Sequence, residues 1–138
     1  MNTKILMVTS SFFLGLAGVA ASFAPTEILT ALNAPTVQPL PLLIQLLGAL
    51  YFAFAMTNWT AKDSMIGGIY ARPLSLGNCL HFVVGALSLL KDRFAHGFQG
   101  PFVIALVVYV IFAFCFGYLV FGLGAACKIN QSPFQPDK

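Results

Sequence analysis

Four long apolar runs, separated by short polar segments, take up most of the chain. They cover residues 5–24, 40–59, 74–90 and 101–127. A helix needs ~20 apolar residues to cross a hydrocarbon core of ~30 Å, so each run is close to one membrane span. The third run is slightly short, and the fourth is long enough to tilt. The pattern predicts an all-α membrane protein whose four transmembrane helices form a bundle.

Composition supports a lipid environment. Hydrophobic residues make up 59% of the 138 residues and charged residues only 8%, against ~25% charged residues in ordinary soluble domains. The segments outside the runs are too short for a separate extramembrane domain. We therefore expect one transmembrane domain, residues 1–128, followed by a flexible cytoplasmic tail, residues 129–138.

The distribution of basic residues predicts the orientation. One set of ends and loops carries Lys4, Lys62, Arg72, Lys128 and Lys138. The other set carries only Lys91 and Arg93. By the positive-inside rule, five basic residues against two place both termini in the cytoplasm.

The first run has an alternative interpretation as a signal peptide. Residues 1–4 resemble the basic start of a signal sequence, and residues 19–21 resemble a small-residue cleavage site. However, the run carries small residues at steps of four, three and four, which form one helix face that another helix can approach closely. That face consists of Ser11, Gly15, Gly18 and Ser22. We expect the run to be retained as a span.

A short helix is predicted in the first extracytoplasmic loop, over residues 24–32. Pro25 suits a first helical turn, and Glu27 lies near the positive end of the helix dipole. Asn33 and Pro35 end the helix. Apolar side chains on one side of this segment suit a helix lying flat in the membrane interface.

The second span contains a mixed face of polar, small and aromatic residues, which we expect to point inward. It consists of Gln45, Gly48, Phe52, Ala55 and Trp59. Gln45 needs a hydrogen-bond partner inside lipid, so it is a candidate binding residue. Trp59 suits an interfacial anchor, and Asn58 beside it suits headgroup depth.

The third span begins with the most chemically suggestive residues of the chain. Asn78 and His81 are three residues apart and share a helix face, with Arg72 further out at headgroup level. His81 is the only ionisable residue well inside a predicted span, about 10 Å from its start at 1.5 Å per residue. Such a residue suggests a functional site. A neutral imidazole bonded to Gln45 or Asn78 would satisfy the same burial structurally.

Residues 91–100 are predicted as a mixed-charge connector, because they contain two glycines and precede Pro101. The last span combines many aromatic rings with small residues at steps of four and seven. Those small residues are Ala113, Gly117 and Gly124.

Other site chemistries find little support in the residues. No second histidine, cysteine or carboxylate stands at metal-ligand spacing, and no nucleophile-base pair, carboxylate dyad or phosphate loop is present. A net charge of +3 without a basic run gives no nucleic-acid surface. We expect no metal, no cofactor and no nucleic acid, and we favour a non-enzymatic protein.

A family resemblance rests on several short motifs. They are Gly15-Leu16-Ala17-Gly18, Phe23-Ala24-Pro25, Gln45-Leu46-Leu47-Gly48-Ala49, Arg72-Pro73-Leu74 and Gly77-Asn78. With the number of spans, these motifs loosely resemble small four-span bacterial membrane proteins of the DoxX-like group. The resemblance implies a four-helix bundle and favours a redox or accessory role.

Two functions follow from these observations. The favoured one is an accessory or structural subunit of a membrane complex, partnered by lipid and by another protein or further copies of itself. The alternative is binding or transfer of an apolar small molecule, such as a lipid or quinone, or of a proton. Its site would be a polar pocket near the cytoplasmic face, formed by His81, Asn78, Arg72, Gln45 and Trp59.

Overall fold

The structure, a computed structural model, describes residues 3–63, 71–96 and 101–129, with side chains for 3–63, 72–95 and 102–121. Its helices are α1 Thr3–Phe23, α2 Pro25–Ala31, α3 Leu40–Ala61, α4 Ala71–His96 and α5 Pro101–Ile129. These residues contain no strand. The predicted all-α class is therefore confirmed. The predicted flexible tail, residues 129–138, lies outside the described residues except for Ile129, which is the last residue of α5.

Four helices are long and apolar enough to cross a membrane. The candidate spans are Thr3–Phe23, Leu40–Ala61, Arg72–Ala95 and Phe102–Phe121. Each contains most of one predicted apolar run. Their number and length indicate a multi-pass membrane protein in contact with a lipid bilayer.

The third helix is longer than its apolar run predicts. α4 continues through residues 91–96, so the predicted connector is wrong over that stretch. No glycine or proline interrupts the chain between Leu90 and His96. Arg93 is also buried, with its guanidinium carbon 5.0 Å from the Phe102 ring centroid of α5 and its nitrogens bonded to Asp92. This packing keeps the polar turn helical.

The short helix in the first loop is present as α2. Its end is a Schellman motif in which Asn33 has a φ of 53°. The Asn33 amide donates to the Thr30 carbonyl oxygen at 3.0 Å, and the Ala34 amide donates to the Leu29 carbonyl oxygen at 2.8 Å. Asn33 therefore ends the helix, as the sequence predicts.

The chain divides into two compact units, Met1–Ser64 and Met65–Lys138. The first contains α1, α2 and α3, and the second contains α4 and α5. Within each unit the two long helices are antiparallel neighbours, because residues near the start of one contact residues near the end of the other.

Candidate functional site

The α1–α3 pair is built on backbone contact. A Cβ atom added to Gly18 would lie 2.7 Å from the Phe52 backbone nitrogen and 2.9 Å from the Gly48 carbonyl oxygen. A Cβ added to Gly48 would lie 2.7 Å from the Ser22 backbone nitrogen and 2.9 Å from the Ala21 carbonyl carbon. The two helices can come this close only because neither position carries a side chain. The predicted small-residue face of α1 is confirmed.

Polar side chains join the same two helices. The Asn58 amide of α3 donates to the Ser10 hydroxyl oxygen at 3.1 Å, and the Ser11 hydroxyl donates to the Ala55 carbonyl oxygen at 2.7 Å. Ser10 in turn donates to the Met7 carbonyl oxygen within α1 at 3.1 Å. Asn58 is fully buried against α1, and its position at headgroup depth stays a prediction. These groups satisfy one another inside an apolar interface.

A charged and aromatic cluster lies where α1 begins and α3 ends. The Lys4 ammonium is 2.7 Å from the Asp63 carboxylate. This hydrogen bond from Lys4 holds the pKa of Asp63 below its ordinary value. The Lys62 ammonium lies 3.4 Å from the Trp59 ring centroid. Trp59 also meets Phe12 of α1 edge to face, with the ring centroids 6.0 Å apart.

An open apolar groove of about 420 Å³ runs between α1 and α3 from this cluster. Its lining residues are Ser11, Phe12, Gly15, Leu16, Val19, Phe52, Ala55, Met56 and Trp59. Gly15 and Ala55 lie next to each other in this lining, because a Cβ on Gly15 would be 3.6 Å from the Ala55 Cβ. The groove was not predicted, although Phe52, Ala55 and Trp59 belong to the mixed face predicted on α3.

The α4–α5 pair is built on aromatic rings instead. Phe82 of α4 is fully buried and stacks on Phe112 and Phe116 of α5, with centroid distances of 4.8 and 5.7 Å. It also meets Tyr109 edge to face at 5.3 Å. Phe82 is thus the centre of the packing in this unit.

His81 lies at the edge of this ring cluster, beside Tyr109. The Tyr109 hydroxyl oxygen and the His81 Nε2 are 3.5 Å apart, and the imidazole tautomer decides which of them donates. The Tyr109 ring rests on Gly85, where an added Cβ would overlap the ring carbons. His81 lies ten residues, or about 15 Å, along α4 from Ala71.

Arg72, Asn78 and His81 do not share one face. Arg72 and His81 are nine residues apart, which places them about 180° apart around α4 and about 13.5 Å apart along it. Arg72 is exposed, whereas Asn78 is fully buried and donates to the Leu74 carbonyl oxygen at 2.9 Å. The structure therefore brings Asn78 and His81 close on the helix surface but separates Arg72 from them.

The expected inward face of α3 is only partly buried. Gly48 and Ala55 face α1. Gln45 is exposed on α3, and no partner for its side chain is found among the described residues. Phe52 and Trp59 line the groove with part of each ring exposed. The second predicted span thus carries a buried small-residue half and an exposed half.

Tyr109, Ser10 and Asn58 are the polar contact residues that the sequence reasoning missed as partners. Ser10 precedes the small-residue stripe by one position, and Asn58 precedes Trp59. Their pairing depends on how the two helices are aligned, which hydropathy does not encode.

Comparisons of the chain with protein-family models, with curated proteins and with solved structures found no match. Within the described part of the chain, no group of three or more His, Cys, Asp or Glu side chains is placed to hold a metal ion.

Proposed function

We propose that this protein is a small, non-enzymatic membrane protein that serves as an accessory or structural subunit of a membrane complex. The observation that carries this proposal is the use of polar groups in the α1–α3 pair. Ser10, Ser11 and Asn58 are buried, and all three take part in the two hydrogen bonds that cross the helix interface. Their hydrogen bonds hold α1 and α3 together.

The outer surfaces of the helices support a role among other apolar molecules. Large apolar side chains are exposed along α5, including Phe114, Tyr118 and Phe121. Lipid tails or apolar helices of a partner would cover such residues in a membrane. A partner subunit or further copies of this chain would therefore meet a ready apolar surface.

The proposed location is the inner membrane of a bacterium, with both termini in the cytoplasm and α2 lying in the outer interface. Five basic residues against two support this orientation. Reporters fused after residue 33 and after residue 138 test it. We expect a reporter that works only outside the cytoplasm to be active at residue 33 and inactive at the C-terminus. The reverse pattern would overturn the orientation.

Purification in mild detergent tests the accessory role. We expect the tagged full-length protein to elute with a partner subunit, or with further copies of itself, at a fixed molar ratio through two successive columns. A lone monomer carrying a tightly bound apolar molecule would instead support the alternative function.

The contact between His81 and Tyr109 favours a second candidate function. An imidazole and a phenol side by side, about half-way along a candidate span, provide hydrogen-bonding groups for a quinone, another apolar ligand or a proton. If the DoxX-like resemblance holds, the host complex would be a redox one.

Two substitutions distinguish this second function from a structural role. His81→Ala and Tyr109→Phe should reduce a bound ligand or a measured activity if the pair is functional. If the pair is structural, both variants should lower thermal stability in detergent and leave bound molecules and activity unchanged.

A further inference from the structure

We propose that the groove between α1 and α3 binds an anionic phospholipid, with one acyl chain in the groove and the phosphate bound by Lys62. This site differs from the His81 region and does not depend on an accessory role for the protein. The argument rests on the lining, the length and the charge of the groove.

The residues that line the groove suit contact with an acyl chain. Its walls are mainly apolar, and Ser11 is the one hydroxyl-bearing residue among those that line it. That hydroxyl already donates to the Ala55 carbonyl oxygen, so it does not need a hydrogen-bond acceptor from a molecule in the groove. Phe12, Leu16 and Met56 stand exposed at the rim, where they offer apolar contact along both sides.

The length of the groove matches one leaflet. It runs from Trp59 to Phe52 on α3, which is seven residues or about 10.5 Å, and from Ser11 to Val19 on α1, which is eight residues or about 12 Å. One leaflet contributes about 15 Å to the hydrocarbon core. The groove also starts at Trp59, and tryptophan is typical of headgroup depth. A lipid tail entering at Trp59 would therefore stay within its own leaflet.

Charge selects the kind of lipid. Lys62 follows the last residue of α3, and its ammonium lies over the ring of Trp59, which lines the groove. Asp63 is the neighbouring carboxylate; it bonds Lys4 and also attracts the charge of Lys62 electrostatically. No carboxylate among the described residues lies within salt-bridge distance of Lys62. The groove is thus apolar along its length and cationic at one end, which complements an anionic headgroup joined to an acyl tail.

Trp59 provides the measurement, because it is the one tryptophan of the chain. The full-length protein is reconstituted in phosphatidylcholine bilayers containing the same mole fraction of either phosphatidylglycerol or phosphatidylcholine with brominated tails. Bromine quenches a tryptophan that it contacts. We expect the brominated anionic lipid to bind beside Trp59 about five-fold more strongly than the brominated zwitterionic lipid, and high salt to reduce this preference.

Variants test the headgroup contact. Lys62→Ala should abolish the preference for the anionic lipid beside Trp59, and Lys62→Arg should keep it. Lys91→Ala removes the same charge from an exposed position of α4 and should keep it as well. A preference that survives in Lys62→Ala would overturn the proposed phosphate contact.

A second pair of variants tests the tail contact. Val19→Phe narrows the groove and should reduce quenching by both brominated lipids, whereas Leu43→Phe adds the same ring at an exposed α3 position outside the groove lining. Equal effects of these two variants would contradict tail binding in the groove. Equal quenching of the unaltered protein by both lipids would also overturn the proposal. A third result would also overturn it: neither brominated lipid quenches Trp59, and the protein is a dimer in solution. A second copy of the chain would then cover the groove.

Discussion

The two helix pairs of this chain solve the same packing problem in different ways. α1 and α3 meet through glycines and hydroxyl groups, so their backbones come into contact. α4 and α5 meet through stacked rings centred on Phe82. Each pair is held by its own kind of contact.

This difference is informative because lipid gives apolar helices little hydrophobic reason to associate. Close packing and hydrogen bonds must then supply the attraction. The α1–α3 pair has glycines where its backbones touch, and it has interhelical hydrogen bonds. The interface of the α4–α5 pair consists mainly of packed aromatic rings. The α1–α3 pair should therefore be weakened most by added volume, and the α4–α5 pair by loss of ring volume. Gly85 of α4 is an exception, because an added Cβ there would overlap the Tyr109 ring.

The largest effect is expected at the ring cluster. Phe82→Ala removes the ring that contacts Tyr109, Phe112 and Phe116, and should lower the free energy of unfolding by about 3 kcal/mol. Phe114→Ala is the matched control, because Phe114 is 76% exposed on α5. Unfolding in detergent with added denaturing detergent measures both. Equal losses in the two variants would contradict a ring-centred interface.

The second effect is expected at the glycine contact. Gly48→Ala places a methyl group against the backbone of α1 and should lower the free energy of unfolding by about 2 kcal/mol. Gly117→Ala is its control, because no described atom lies within 4 Å of an added Cβ there. The same unfolding experiment measures both, and a neutral Gly48→Ala would rule out the close backbone approach.

A smaller loss of stability should distinguish hydrogen bonds that join α1 to α3 from hydrogen bonds within one helix. Ser11→Ala removes the hydrogen bond to Ala55 and should cost about 0.6 kcal/mol of unfolding free energy. Thr9→Ala removes a hydroxyl that bonds only carbonyl oxygens of its own helix, and it should be nearly neutral. Equal losses would show that the bond from Ser11 to α3 adds nothing.

The smallest effect is expected at the Lys4–Asp63 ion pair. In the folded chain the pKa of the Asp63 carboxyl lies below its ordinary value of 3.8. The pair therefore contributes stability above that value, and the contribution is lost as pH falls through the lower, folded-state pKa. Thermal unfolding at pH 7 and pH 2.5 should show a smaller loss for Asp63→Asn than for the unaltered protein. Parallel losses would indicate that the pair is not formed.

Much of the first pair was predictable from the sequence. Small residues at steps of three and four reveal a close-packing face, so Gly15 and Gly18 were placed correctly. The end of α2 was also readable, because Asn33 accepts a positive φ more readily than most residues.

The partners across each interface were not predictable. Whether Asn58 reaches Ser10, or Tyr109 reaches His81, depends on how one helix slides along the other, and apolar runs do not fix this alignment. The predicted pocket failed for a different reason. Arg72 and His81 both lie on α4 nine residues apart, so the helical repeat places them on opposite sides once Arg72 is part of the helix.

The central claim is that buried polar groups of this chain serve helix pairing. A double-mutant cycle on Ser10→Ala and Asn58→Ala tests it most directly, with unfolding free energies measured in lipid. We predict a favourable coupling between the two side chains of about 0.6 kcal/mol, the average for interhelical hydrogen bonds in a membrane protein, and of no more than about 1.7 kcal/mol. Strictly additive losses would contradict the claim.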